Sequence, residues 1–206
     1  MEVSDFFDFL FRLGFSQSKW KRELPMVRGE MTDLKAKLIP FDKEELLLLS
    51  MNQRDTSSKR GFTKLYKGIL ETIYFESLYA YVIKQFSRDY RLTIVSSSKD
   101  EFIFLRKGQN QQQVYLNEVL IGNLDNNCVL TGDRRQTIGR IELTETTEMC
   151  PLWINGKNAG FAANPYIKKT TTTRAVQLFK ELNEDEYNIL TCLLLGMITN
   201  VIATRK

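Results

Sequence analysis

The sequence predicts a mainly β protein (α+β). About twelve antiparallel strands close into a barrel around a hydrophobic C-terminal helix, with an N-terminal helical extension. One observation behind this prediction is a stretch of seventeen residues, 187–203, that contains no charged side chain. The other is the long series of short segments before it, rich in β-branched and aromatic residues and separated by turn sequences. A closed barrel removes exposed sheet edges and encloses the helix.

The C-terminal helix is predicted over residues 184–203. Asn183 has the position of its N-cap, and Glu186 that of the reciprocal carboxylate of a capping box. A helix that is apolar on all sides must be enclosed by lipid or by protein. The uncharged stretch spans roughly 25 Å, which is short for a bilayer. It also contains polar residues, namely Asn188, Thr191, Thr199 and Asn200. We expect protein to enclose it, with a membrane tail anchor as the alternative.

The predicted strands begin at Leu46, where apolar and polar residues start to alternate. Their connections are too short for crossover helices, so the sheet is antiparallel. Four consecutive threonines, 170–173, favour a strand over a helix for the last segment. The predicted strands are 46–53, 62–74, 78–86, 90–97, 101–105, 112–116, 119–124, 128–131, 137–143, 150–154, 158–162 and 171–179.

Three of the predicted hairpins, 114–124, 130–141 and 152–162, resemble one another. Each reads as a strand, a tight turn and a second strand that carries an apolar-Gly-x-apolar step. The glycines are Gly122, Gly139 and Gly160. A glycine at one place in successive hairpins indicates a bend or a close approach to the sheet. A central helix would supply that crowding.

These features together resemble the tubby-like barrel superfamily, which includes phospholipid scramblases and LURP-one-related proteins. That superfamily combines β-hairpins carrying I-G-x-I steps with a hydrophobic helix that threads the barrel. The matching segments are Ile121-Gly122-Asn123-Leu124, Ile138-Gly139-Arg140-Ile141, Ala159-Gly160-Phe161-Ala162 and residues 187–203. The resemblance covers roughly residues 46–206. The calcium-binding acidic stretch of scramblases has no counterpart in this sequence, so the resemblance does not imply scramblase activity.

The resemblance implies a binding function, because tubby-type barrels bind phosphoinositide headgroups through basic surface side chains. Lysine and arginine pair with phosphate oxygens, and arginine can do so through two hydrogen bonds. Three basic pairs are therefore candidate sites for an anionic ligand. They are Lys59 with Arg60, Arg134 with Arg135, and Lys168 with Lys169. Basic pairs at turns are also ordinary solvated surface, and no pattern distinguishes among the three.

Composition argues against most catalytic classes. The chain has no histidine, which removes Ser-His-Asp and Cys-His machinery and nearly all zinc sites. No nucleotide-binding glycine loop is present, and no cofactor or metal is predicted. Three widely spaced cysteines indicate buried thiols in a reducing, cytoplasmic compartment. A net charge of +4 is too weak to indicate nucleic acid.

Residues 1–45 are predicted as a separate helical extension before a barrel domain of residues 46–206. Phe6 to Phe15 form a dense aromatic cluster followed by basic residues around Trp20. We expect this segment to pack on its own domain, on a partner chain or on a second copy. Contact with a membrane surface is the alternative.

Three functional classes follow from the sequence. The first is a non-enzymatic binding or scaffold module of unknown partner, with anionic lipid headgroups as one possible ligand. The second is a peripheral membrane or scramblase-related protein. The third is an enzyme that uses carboxylates in the barrel mouth, for which the candidates are Glu71, Glu76, Asp133 and Glu142.

Overall fold

The computed structural model describes residues 17–60, 63–87, 89–167 and 174–204. Twelve strands form one antiparallel sheet in which every strand pairs with its neighbours in sequence. The strands are β1 (Leu49–Arg60), β2 (Thr63–Thr72), β3 (Ser77–Gln85), β4 (Tyr90–Ser96), β5 (Glu101–Lys107), β6 (Gln111–Leu116), β7 (Val119–Asp125), β8 (Val129–Thr131), β9 (Thr137–Ile141), β10 (Met149–Ile154), β11 (Lys157–Ala163) and β12 (Val176–Leu178). The helices are α1 (Gln17–Gly29), α2 (Thr32–Lys35), α3 (Lys43–Leu47) and α4 (Glu184–Thr204).

The sheet curls into a nearly closed barrel. Its two terminal strands approach each other at an antiparallel bridge between Ser50 and Arg174. Beside this bridge the backbone N–H of Ala175 donates to the carbonyl oxygen of Leu49 at 2.6 Å. The predicted fold class is therefore confirmed: a barrel of twelve antiparallel strands surrounds the C-terminal helix.

Protein encloses α4 over most of its length. The helix is long and apolar enough to span a membrane, but 83% of its most hydrophobic stretch is buried in the barrel. The predicted capping box is present, because the backbone N–H of Glu186 donates to Asn183 Oδ1 at 3.0 Å and that of Asn183 donates to Glu186 Oε2 at 3.1 Å. The hydroxyls of Thr191 and Thr199 donate to the helix carbonyls of Tyr187 and Leu195, so each hydroxyl uses its proton within the helix.

Strands β3, β4 and β5 are buried on both faces. On β3, Tyr79 and Tyr81 belong to the inner cluster around α4. Ala80 and Val82 belong to an outer cluster with Trp20 and other residues of α1. Successive side chains of a strand point to opposite faces, so the barrel interior and the groove under α1 share these strands. The described part of the N-terminal extension thus packs on the outside of its own barrel.

The recurring glycines have two different neighbours. A Cβ on Gly139 would lie 2.6 Å from Ile189 Cγ2 and 2.8 Å from Leu193 Cδ1, so α4 crowds this position as expected. A Cβ on Gly122 would instead lie 2.2 Å from the backbone oxygen of Thr131, on the adjacent strand. The φ of Gly160 is +152°, and a Cβ on this residue would also lie against a backbone oxygen of the adjacent strand. The helix therefore explains one glycine, and strand-to-strand contact explains two.

The start of the first strand differs from the prediction. Residues 43–47 form α3, because Asp42 caps a helical turn by accepting the N–H of Glu45 at 2.9 Å. Strand β1 begins at Leu49 and continues to Arg60, well beyond the predicted end at Gln53. The alternation of apolar residues alone did not reveal the short capped helix. The aromatic cluster of Phe6 to Phe15 lies outside the described residues.

The barrel has two distinct ends. We call the end at which α4 begins the entry end; it contains the β2–β3, β4–β5 and β8–β9 turns. The opposite end, where α4 terminates, is the exit end. It contains the β3–β4, β5–β6 and β7–β8 connections.

Gly139→Ala should destabilise the protein, because its new methyl group would overlap Ile189 and Leu193 of α4. Overpacking of this kind costs roughly 1–3 kcal/mol in the free energy of unfolding. Gly29→Ala is the matched control, since a Cβ at that position would meet no neighbouring element within 4 Å. Urea unfolding measures both variants. Equal stability of the two would contradict the placement of α4 against β9.

The buried thiols of Cys128 and Cys192 should resist alkylation in the native protein. Burial is the main reason that the pKa of each rises from 9.0 to about 12, so both stay protonated at pH 8 and are poor nucleophiles. Unfolding in urea restores the ordinary pKa and exposes them. Mass spectrometry after iodoacetamide treatment should therefore show labelling of these two cysteines only with urea. Fast labelling of native Cys192 would contradict a helix enclosed by protein.

Candidate anion-binding site

A row of polar side chains crosses the barrel interior near the exit end. Arg91 on β4 stands directly opposite Arg106 on β5, and Arg106 stands opposite Gln112 on β6. All three share the inward face of their strands with apolar residues of the inner cluster, which are Val95, Phe102, Phe104 and Val114. The backbone register therefore places two guanidinium groups side by side inside the barrel.

The last turns of α4 contribute the fourth member of this group, Asn200. Its Oδ1 accepts a hydrogen bond from Arg91 Nη2 at 2.9 Å and another from Arg106 Nη1 at 3.2 Å. Arg91 Nη2 also lies 3.4 Å from Gln112 Oε1. Two positive side chains thus converge on one neutral carboxamide oxygen. We call Arg91, Arg106, Gln112 and Asn200 the arginine cluster.

Arg91 occupies an electrostatically costly position. Its residue surface is only 3% exposed, and its Nε is buried without a hydrogen-bond partner. Burial, and then the positive charge of Arg106, lower the pKa of the Arg91 guanidinium from its ordinary value to about 10. Within the described part of the chain, no carboxylate forms an ion pair with Arg91. Like charges directly opposite each other destabilise a sheet.

Arg106 is better accommodated and reaches the surface. Its Nε donates to the carbonyl oxygen of Gly108 at 3.1 Å, and its Nη2 donates to Asn126 Oδ1 at 2.5 Å and to the carbonyl oxygen of Gln109. Burial lowers the pKa of Arg106, and the nearby carboxylate of Asp89 opposes this shift. Arg106 therefore anchors the β5–β6 loop and forms the border between the buried cluster and solvent.

The end of α4 explains part of this arrangement. The C-terminus of a helix carries roughly half a negative charge, which a nearby cation offsets. Arg91 and Arg106 of the barrel wall lie beside this helix end and place positive charge there. The two guanidinium groups carry more positive charge than the helix end offsets, even after the negative charge of Asp89 beside Arg106 is subtracted. The surplus positive charge at Arg91 marks the cluster as a candidate site for an anion.

The basic pairs predicted from the sequence lie at different places. Arg134 and Arg135 are exposed in the β8–β9 turn at the entry end, far from the arginine cluster. Lys59 and Arg60 are the last two positions of β1, opposite Lys64 and Thr63 of β2, at the exit end. Lys168 and Lys169 fall outside the described residues. The pair Arg134 and Arg135 and the pair Lys59 and Arg60 therefore lie at opposite ends of the barrel.

The candidate catalytic carboxylates also lie apart. Glu71 at the end of β2 pairs with Arg54 at 2.5 Å, and Glu76 accepts the hydroxyl of Thr72 at 3.2 Å. Glu142 follows β9 at the opposite end and pairs with Arg140 at 2.8 Å. Asp133 is exposed in the β8–β9 turn. These four carboxylates therefore lie at both ends of the barrel.

Concave regions elsewhere among the described residues include a cleft beside α1 and a cavity at the entry end. A cleft of about 360 Å³ separates α1 from the β6–β7 hairpin, with Trp20 and Tyr115 as its aromatic walls. A cavity of about 220 Å³ lies at the entry end. There Lys43 is already paired with Glu184 at 3.1 Å and stacked over Tyr187. Neither region contains a buried charge that lacks a counter-charge.

Sequence reasoning did not single out Arg91, Arg106 or Gln112. The available signal was strand parity: Arg91 shares its face of β4 with Val95, and Arg106 shares its face of β5 with Phe104. Both faces of these strands are apolar, however, so parity alone does not tell which face looks into the barrel. Asn200 is one of the polar residues of the uncharged stretch, and the structure gives it two hydrogen-bond partners, Arg91 and Arg106.

Comparison with protein-family models, with curated proteins and with solved structures gave no match. The fold and the chemistry of the exit end are therefore the basis for a functional hypothesis.

Arg91→Met should increase stability, because it replaces a buried, unpaired charge with an apolar side chain of similar length. Such replacements often gain about 1–3 kcal/mol in the free energy of unfolding. Arg134→Met removes an exposed arginine at the entry end and should change the free energy of unfolding by less than about 0.5 kcal/mol. Chemical denaturation compares the two. A loss of stability in Arg91→Met would indicate that Arg91 is fully compensated.

The advantage of Arg91→Met should shrink at alkaline pH. The fold lowers the pKa of Arg91 to about 10, below its ordinary value in the unfolded chain, so between these two pKa values the unfolded chain binds more protons. At neutral pH the buried charge of Arg91 lowers the free energy of unfolding by its full amount. As pH rises through 10 this charge is lost in the folded protein, so the free energy of unfolding increases. The difference in the free energy of unfolding between wild type and Arg91→Met reports Arg91 alone, because other residues that titrate in this pH range contribute equally to both proteins. A pH-independent difference from pH 8 to 11 would contradict the lowered pKa.

Proposed function

We propose that this protein is a non-enzymatic binding module that recognises an anionic ligand at the exit end of its barrel. The observation that carries the proposal is Arg91, a buried guanidinium that shares a neutral acceptor with Arg106 and has no carboxylate partner among the described residues. A protein tolerates such a charge where an anion completes the site. Phosphate groups suit it, because arginine binds them with charge-assisted hydrogen bonds.

The fold supports binding more than catalysis. The helix fills the centre of the barrel with residues of the inner cluster, such as Leu193 and Met197. A plugged barrel leaves little interior room for a substrate and two catalytic carboxylates. The arginine cluster contains two cations and two carboxamides but no group that titrates near neutral pH. It is suited to charge recognition and not to proton transfer.

Anionic lipid headgroups are one source of such a ligand. The basic pair Lys59 and Arg60 ends β1 at the exit end, and basic residues near a membrane surface attract acidic lipids. A tubby-like function of this kind remains part of the proposal, as does a cytoplasmic location with membrane association. A protein partner or a second copy, bound through the N-terminal segment, remains a further proposal.

Asn200→Asp should imitate a bound anion. The substitution keeps the side-chain shape and places a carboxylate oxygen where Arg91 and Arg106 already converge. We expect it to raise the free energy of unfolding by about 1–3 kcal/mol, as a buried charge gains its partner. It should also abolish stabilisation of the protein by added phosphate. Thermal unfolding in phosphate and in chloride of equal ionic strength measures both effects.

Asn188→Asp is the matched control, because it adds the same charge near the opposite end of α4. It should leave the response to phosphate unchanged. Phosphate also stabilises proteins by general exclusion from their surface, and the comparison of the two variants removes this contribution. If Asn200→Asp destabilises the fold and keeps the phosphate response, the arginine cluster is not an anion site.

A further inference from the structure

A cavity of about 220 Å³ opens at the entry end, between α3, the β4–β5 turn and the first turns of α4. A water molecule occupies roughly 30 Å³ in the liquid, so the cavity has room for a compound of about seven non-hydrogen atoms, the size of alanine or valine. The cavity lies at the opposite end of α4 from the arginine cluster. A ligand bound here therefore goes beyond the proposed anion-binding function.

One side of this cavity is apolar and consists of Phe41, Leu46, Phe102 and Tyr187, which we call the apolar wall. Tyr79 of β3 packs against it. The ring centroid of Tyr79 lies 5.6 Å from that of Phe41 and 6.4 Å from that of Phe102. Aromatic and aliphatic side chains of this kind line ligand sites and cover the apolar part of the ligand. The apolar wall therefore suits an aliphatic group.

The hydroxyl of Tyr79 is a buried polar group beside the cavity. Tyr79 is 0% exposed, and its Oη has no hydrogen-bond partner in the protein. Asp100 and Thr191, two of the side chains that act on this hydroxyl, line the cavity, and Thr191 donates its own proton to the carbonyl oxygen of Tyr187. Burial raises the pKa of Tyr79 well above its ordinary value, so the hydroxyl stays neutral and can accept a hydrogen bond. A buried polar group without a partner is costly, and a polar ligand in the cavity would supply the partner.

The β4–β5 turn adds one charge of each sign to the cavity. Asp100 Oδ1 accepts a hydrogen bond from Asn117 Nδ2 at 2.9 Å, but Asp100 Oδ2 accepts none from the described residues. Within the described part of the chain, neither Asp100 nor Lys99 forms an ion pair. The bond from Lys43, and further the charge of Lys99, hold the pKa of Glu184 below its ordinary value, so Lys99 contributes positive charge at the cavity. Lys43 and Glu184 are committed to each other, whereas Asp100 and Lys99 are available to a ligand.

We propose that the entry-end cavity binds a small α-amino acid with an aliphatic side chain. The ammonium group of the ligand has three N–H donors, and it would donate to Asp100 Oδ2 and to the buried Tyr79 Oη. The carboxylate of the ligand would pair with Lys99. The aliphatic side chain would pack on the apolar wall.

The charges around the cavity favour a zwitterion over a ligand of one sign. A simple amine would be repelled by Lys43, by Lys99 and by the positive N-terminus of α4. A simple carboxylic acid would be repelled by Asp42, Asp100 and Glu184. An amino acid carries both charges, so each of its ends can face a group of opposite sign while its net charge stays near zero.

The experiment titrates the full chain with L-alanine and L-valine at matched ionic strength and measures binding by isothermal titration calorimetry. L-valinamide lacks the carboxylate, and N-acetyl-L-valine lacks the ammonium group. Asp100→Asn removes the negative charge at constant shape, and Tyr79→Phe removes only the hydroxyl. The matched controls are Asp133→Asn and Tyr74→Phe, which change exposed residues in other turns of the entry end.

We expect the two amino acids to bind, and both valine derivatives to bind more weakly than L-valine. Loss of a charge-assisted hydrogen bond should weaken binding of L-valine roughly tenfold or more in Asp100→Asn. Tyr79→Phe should weaken it roughly two- to tenfold without lowering the free energy of unfolding of the free protein, since the hydroxyl has no partner there. The two control variants should bind as wild type does. If Asp100→Asn does not fold, Tyr79→Phe and Lys99→Gln decide.

Backbone ¹H–¹⁵N NMR spectra show which end of the barrel the amino acid occupies. Shifts at Lys99 and Asn188 that persist in Arg91→Met would support the inference independently of the proposed function. Shifts confined to Gly108 and Asn126 and lost in Arg91→Met would overturn it and support the arginine cluster as the anion site. Absence of binding by both amino acids would overturn the inference. So would equally tight binding of either valine derivative, or binding that survives both Asp100→Asn and Tyr79→Phe.

Discussion

The apolar surface of α4 is the constraint on which the rest of this structure depends. Its fifteen buried residues face every direction around the helix axis, so a single sheet face could cover only part of them. A barrel that closes around the helix covers them all and leaves few unpaired strand edges. The close contact of Gly139 with Ile189 and Leu193 shows how little space separates the strands from the helix. Strand curvature, glycine placement and the connection into α4 all follow from this enclosure.

Enclosure also decides what happens to the polar end of the helix. Asn200 is a polar residue in the last turns of the helix, and the carbonyls of the last turn need a positive neighbour. The barrel provides this from its own wall, through Arg91 and Arg106 in adjacent registered positions. A structural requirement thus brings two cations together at one end. Their combined charge exceeds what the helix end needs, and a binding function can arise from that excess.

The outer face of the same strands has a separate role. Strands β3 to β5 hold α1 through an apolar groove and through ion pairs at its rim, such as Lys84 with Glu23 at 2.5 Å. Being covered on both sides makes these strands the most deeply buried part of the barrel. Arg91 and Arg106 are therefore held on a rigid wall. Rigidity of this kind fixes the spacing of the two guanidinium groups, which favours selective recognition over general charge attraction.

The sequence by itself determined the number and direction of the strands, the hairpin of residues 152–162 and the capped helix at residue 184, because each depends on local patterns of polarity and turn chemistry. It misplaced the start of β1, where the cap at Asp42 outweighed the apolar run. Only the tertiary structure decided which face of β4 and β5 points inward, since both faces are apolar. It alone brought Arg91 and Arg106 to Asn200, across 109 and 94 residues of sequence. Such contacts depend on barrel closure and register, and no local pattern encodes them.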